Sequence, residues 1–154
     1  MIAKAGIIAS TRERVPEHTD ACVNAQIRAQ TERSIAHFMG AGEAAISRRL
    51  EELDQEWDIE RTLEANASTA VLIGVTLGAL KHRGFFILPA LVAGFLLQHA
   101  VQGWCPPMPI LRRLGFRTAN EIDYERYALK AFRGDFEGIP GTPSSRTALA
   151  AAER

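Results

Sequence analysis

A chain of 154 residues, with 18 basic and 18 acidic groups, fits one small unit rather than several domains. Its formal charge is zero and no basic run is long enough for a phosphate footprint, so no nucleic-acid partner is expected. The two cysteines, Cys22 and Cys105, form no CxxC and no Cys/His cluster, which argues against a disulfide framework and against a metal site.

The charges are unevenly placed. Residues 1–64 carry 8 basic and 12 acidic groups, and residues 81–154 carry 10 basic and 6 acidic ones. Opposite net signs favour packing of the N-terminal region against the C-terminal one. Two separately solvated faces are the other reading.

Residues 1–16 read as an irregular N-terminus ending at Pro16. The run Ala5-Gly6-Ile7-Ile8-Ala9 is too short for a signal-peptide core, so any membrane insertion would be directed from inside the chain. Residues 17–64 read as a helical, cytoplasmic region. Its first helix, 17–39, is rich in Ala, Gln, Arg and Glu but has only a weak apolar stripe: Val23, Ile27, Ile35, Phe38 and Met39. Gly40-Ala41-Gly42 interrupts it. From Glu43, the residues Ile46, Leu50, Leu53 and Trp57 recur at helical spacing and make an apolar face opposite Arg48, Arg49, Glu51, Glu52, Asp54 and Glu56. Such a face is a packing seam for a sister chain, the C-terminal helix or lipid headgroups. No stop signal is legible between Glu60 and Ala67, so this helix is expected to continue into the apolar segment.

Residues 65–104 hold the most informative feature. Ala65–Leu80 and Gly84–Leu111 contain no Asp, Glu, Lys or Arg, and only Lys81-His82-Arg83 divides them, in a chain that is 23% charged. The expectation is an all-α fold: a membrane helical hairpin of two transmembrane helices, with amphipathic cytoplasmic helices before and after it. Ala65–Leu80 would span about 24 Å, short of the roughly 30 Å hydrocarbon core, and Gly84–Trp104 about 31 Å. Bilayer thinning, or snorkelling of Arg61, Lys81 and Arg83, absorbs the mismatch in the first helix. A soluble bundle with a buried hairpin is the alternative. Arg48, Arg49 and Arg61 flank one end, and Arg112, Arg113 and Arg117 the other, against Lys81 and Arg83 in the turn. The positive-inside rule then puts both termini in the cytoplasm. Trp104 falls where an interfacial aromatic belongs.

Gly74 and Gly78 form a GxxxG, and Ala70 to Gly74 and Ala90 to Gly94 extend the small-xxx-small pattern, which lets helices approach closely in lipid. The contact is either within the hairpin or between chains. Pro89 either kinks the second helix or occupies its first turn. Gln98, His99 and Gln102 form a polar cluster whose expected role is hydrogen bonding between helices. A proton relay would need an intramembrane acid, and the charge-free segments contain none.

Residues 105–136 read as a Pro-rich exit followed by a capped helix. Pro106, Pro107 and Pro109 end the membrane helix and hold the chain extended. Cys105 is the candidate reactive thiol at the membrane face: Pro106 leaves the stretch irregular and the thiol open, and Arg112 and Arg113 would lower its pKa if the chain folds back. A small apolar residue filling a boundary site is the other reading. Thr118-Ala119-Asn120-Glu121 is a capping box for a helix to about Arg133, with Ile122, Leu129 and Phe132 on one face and Gly134 closing it. Residues 137–154 are Gly-, Pro-, Ser- and Ala-rich and expected to be disordered.

Gly103-Trp104-Cys105-Pro106 followed by Leu114-Gly115-Phe116-Arg117-Thr118, after a Gly-rich apolar hairpin, resembles the YgaP-like transmembrane domain. The likeness covers about residues 58–118. It implies a bacterial inner-membrane location, a paired-helix fold and dimerisation. Some members of that family carry a sulfur-transferring rhodanese domain; this chain has none, so that activity is not implied. No catalytic triad, phosphate loop or cofactor motif is visible. The expected function is therefore a non-enzymatic anchored protein that contacts membrane lipid and either self-associates or binds an unidentified protein partner, with no cofactor. The alternative is a thiol-dependent accessory protein using Cys105.

Overall fold

The computed structural model describes residues 10–137. Residues 1–9 of the expected irregular N-terminus, and the expected disordered tail from residue 138, lie outside them. Among the described residues the chain is helical, with no strand: α1 (Arg14–Glu17), α2 (Ala21–Phe38), α3 (Glu43–Gln55), α4 (Ile59–Leu80), a 3₁₀ turn (Arg83–Phe86), α5 (Ile87–Gln102), α6 (Met108–Arg113) and α7 (Ala119–Arg133). Two compact units form. The first joins the chain up to Ile27 with Trp57–Asn120; the second joins Arg28–Glu56 with the chain from Glu121.

The helix begun at Glu43 does not run into the apolar segment of the first unit. Glu56 and Asp58 take extended backbone angles, and the Asp58 carboxylate accepts the Arg61 N–H at 2.7 Å. Asp58 is thus an N-cap, and it starts a new helix at Ile59. The break also removes Trp57 from the Ile46–Leu53 stripe: Trp57 is 47% exposed and lies under the Arg61 guanidinium, 4.4 Å from its ring centre.

The helix lengths therefore differ from those expected. α4 has 22 residues, about 33 Å, although its charge-free part is still the last 16. α5 has 16 residues, about 24 Å, and the 3₁₀ turn before it adds roughly 8 Å. Two helical stretches, one ending at Leu80 and one over Arg83–Gln102, are long and apolar enough to cross a membrane. Pro89 sits in the first turn of α5, where a missing N–H costs nothing.

α5 ends at Gly103, whose left-handed φ of +83° lets its N–H reach the His99 carbonyl at 2.7 Å. The exit beyond it is not extended as expected. Pro107 caps α6 and Pro109 lies in its first turn, where proline's fixed φ suits a helix start. Residues 14–17 are likewise helical rather than irregular, with Pro16 inside the first turn. Val15, Ile59, Leu63, Cys105 and Met108 form the buried core of this unit, covered by Trp104, Leu111 and Phe116. The Ile59 N–H donates to the Arg117 carbonyl at 2.8 Å and ties the start of α4 to the segment entering α7.

In the second unit, Ile46, Leu50 and Leu53 of α3 pack on Ile122 and Leu129 of α7, with Phe38 and Ala41 over them. Phe132 is 45% exposed and outside this seam. The complementary charges read from the sequence meet here. Glu125, fully buried, accepts from Arg49 Nε at 2.9 Å and from Ser34 Oγ at 2.5 Å. Arg126 pairs with Asp54, and Arg133 reaches Ser47 Oγ at 3.0 Å. α7 begins at Ala119, where the Thr118–Glu121 box puts its cap.

Candidate functional site

The charge-free helices run antiparallel, and glycine sets their spacing. A Cβ on Gly74 would lie 2.5 Å from Pro89 Cδ and 3.3 Å from Leu88 Cβ. A Cβ on Gly78 would lie 2.9 Å from the Phe86 ring. Both glycines are buried. Of the two uses that the GxxxG pattern leaves open, the structure shows contact within the chain. Ala90 and Gly94 face away from it: both are exposed, and a Cβ on Gly94 would meet nothing within 4 Å.

Further from the turn the same two helices leave a space between them. α4 presents Leu63, Asn66, Ala67 and Ala70 to a half-open cavity of about 240 Å³. Val92, Phe95 and Leu96 of α5 form the opposite wall. Cys105, Pro107 and Leu111 close its end. The alanines are too small to fill the gap. The lining is almost wholly apolar, and the Asn66 amide already donates to the Thr62 carbonyl at 2.9 Å.

A polar cluster sits where α5 ends, but it is not the one read from the sequence. His99 is 6% exposed, and neither ring nitrogen has a hydrogen-bond partner among the described residues. Gln98 is half-buried and Gln102 exposed, and neither hydrogen-bonds the His99 ring. The neighbour of this helix end is Arg14, which donates to the Ala100 carbonyl at 3.3 Å and pairs with Glu60. A Cβ on Gly103 would overlap the Arg14 backbone, so only glycine allows α1 this close.

Cys105 is 3% exposed within the core. Burial pushes its thiol above the ordinary value, and no arginine counters the effect. Of the two readings of Cys105, the fold provides the small apolar residue at a boundary and not the accessible, activated thiol. The reason is that α6 folds the Pro-rich segment over it. Arg112, 1% exposed, points elsewhere: its guanidinium donates to Thr19 Oγ1 at 3.2 Å, Asn24 Oδ1 at 2.9 Å and the Phe116 carbonyl at 3.0 Å. It fastens the start of α2 to α6. Cys22 is the exposed thiol, and the Asp20 carboxylate beside it raises its pKa.

Sequence reading missed the structural roles of Arg14, Arg112 and Glu125. Only the clustering of arginines at the segment ends marks Arg112, which reads there as a membrane flank; no local pattern singles out Arg14 or Glu125. No group of three or more metal-ligating side chains occurs among the described residues. No protein-family model, no curated protein and no solved structure matches this chain.

Proposed function

We propose that this chain is a membrane-anchored helical protein without catalytic activity. Its α4–α5 hairpin crosses a bilayer, and the chain self-associates or holds a protein partner through its helices. One observation carries the reading: the most apolar helices expose their apolar side chains. Only 17% and 6% of the residues in their most apolar windows are buried. Leu72, Leu80, Ile87 and Leu97 are 68%, 77%, 64% and 68% exposed. Twelve large apolar side chains between Leu72 and Val101 are exposed. Taking them out of water is worth on the order of 10 kcal/mol or more, comparable to the whole stability of a domain. A soluble bundle would bury this surface; lipid offers the same gain, which favours the membrane reading.

The basic flanks support a topology with both termini in the cytoplasm and the Lys81–Arg83 turn outside. The resemblance to the YgaP-like domain adds a bacterial inner membrane to the proposal. The glycine face is occupied within the chain, so a second copy would dock through the exposed Ala90–Gly94 side of α5. The buried, raised thiol of Cys105 weighs against the sulfur-transfer alternative. Alkaline carbonate washing of membranes tests the anchor: the protein stays in the pellet, and release into the wash refutes the reading. Gly94→Ile weakens self-association in a membrane two-hybrid assay; an unchanged signal rejects that interface.

A further inference from the structure

We infer that the cavity between α4 and α5 is a binding site for one acyl chain of a bilayer phospholipid, an inference that rests on the membrane reading above. Its volume of about 240 Å³ exceeds the ~150 Å³ of an apolar cavity known to hold a benzene-sized guest. Water is a poor filler here. A trapped water needs two to four polar partners, and this lining offers almost none. Its one amide, Asn66, already donates to the Thr62 carbonyl at 2.9 Å. The Cys105 thiol is kept neutral by burial.

An empty apolar space forgoes dispersion contacts along its whole lining. The fold does not close it, because Gly74 and Gly78 pin the turn ends of the helices together while Ala67 and Ala70 are too short to fill the gap that opens below. Apart from Leu63, which lies two residues before the first of them on the same helix, the walls belong to the two segments without a charged residue. In a bilayer, the fluid in contact with the α4 and α5 walls is hydrocarbon. An unbranched, flexible chain enters a half-open slot without requiring either helix to move.

The test uses the full chain reconstituted in phosphatidylcholine–phosphatidylglycerol vesicles doped with a phosphatidylcholine that carries a mid-chain diazirine. After illumination, adducts are mapped by mass spectrometry. Adducts are expected on cavity residues such as Phe95 and Leu96 and on outward-facing residues such as Leu72 and Leu97. In Ala70→Phe, which fills the space, the cavity adducts disappear and the outer ones remain. Ala67→Leu, a milder filling, gives the same selective loss if the bulkier variant misfolds. Adducts confined to the outer face, or cavity adducts that survive both fillings, overturn the acyl site and leave the membrane reading standing. Absence of adducts from both faces refutes the membrane reading itself.

Discussion

Gly74→Ala isolates the contact that holds the two apolar helices together. The new methyl would sit 2.5 Å from Pro89 Cδ, an atom fixed to the α5 backbone by its ring, so relief requires the helices to part by roughly 1 Å. Such overpacking costs about 1–3 kcal/mol, offset by up to about 1 kcal/mol of improved helix propensity. The expected net loss is about 1–2 kcal/mol. Two controls share the chemistry and differ only in surroundings. At Gly78 the obstacle is the Phe86 ring at 2.9 Å, a side chain with some freedom to turn, so Gly78→Ala costs less. At Gly94 nothing lies within 4 Å, so Gly94→Ala is neutral or slightly stabilising. The assay is reversible unfolding in mild detergent by added denaturing detergent, followed by far-ultraviolet circular dichroism and by the fluorescence of Trp57 and Trp104. The order of stability should be Gly94→Ala, then Gly78→Ala, then Gly74→Ala. Equal losses at all three positions, or no loss at Gly74, would refute the claim that glycine sets this spacing.

Asp58→Ala removes the cap that separates α3 from α4, in which the carboxylate accepts the Arg61 N–H at 2.7 Å. It should cost about 1 kcal/mol, and amide exchange at residues 59–62 should speed up; unchanged protection would show that the cap is dispensable. Glu125→Ala leaves Arg49 and Ser34 without their buried acceptor and should cost about 3 kcal/mol in a thermal or chemical melt, toward the lower end for a broken buried pair because Arg49 retains Glu52 at 2.9 Å. A loss below about 0.5 kcal/mol would mean that the pair is not formed in solution. For the thiols, iodoacetamide at pH 8 should modify Cys22 and spare Cys105 until the chain is unfolded, since only Cys22 is exposed. The Cys22 rate should have its midpoint above the ordinary thiol value of 9.0, because the Asp20 carboxylate disfavours the thiolate, and Asp20→Asn should bring it back down. Cys105 is raised in the folded state, so its contribution to stability is complete below the unfolded thiol pKa and is lost as the pH climbs through the folded one. A Cys105→Ala variant should therefore show a shallower decline in stability above pH 9; an identical decline would contradict the buried thiol.

What the sequence made legible follows from the range of the interactions involved. Charge-free runs and an apolar stripe are local patterns with strong physical consequences, so α4, α5 and the Ile46–Leu53 face of α3 could be read directly. The Thr118 box likewise marked the start of α7 within one residue. The misreadings share a cause: each depends on residues far apart in the chain. Asp58 is a weak stop signal by itself, and the Ile59 N–H to Arg117 carbonyl bond, joining positions well separated in sequence, helps place the break. The Pro-rich exit reads as extended by local rules, yet proline is also suited to a first helical turn, and Met108 finds a core with Val15 and Ile59 that rewards the helix. That choice decided the fate of Cys105. Had residues 106–109 stayed extended, the thiol would have been open and Arg112 free to approach it. With α6 formed, the thiol is sealed and Arg112 is committed to Thr19, Asn24 and the Phe116 carbonyl. The same folding closes the lower end of the α4–α5 space with Cys105, Pro107 and Leu111, and so turns a gap between two helices into a walled cavity. The residue that sequence alone marked for chemistry serves instead as part of an apolar wall.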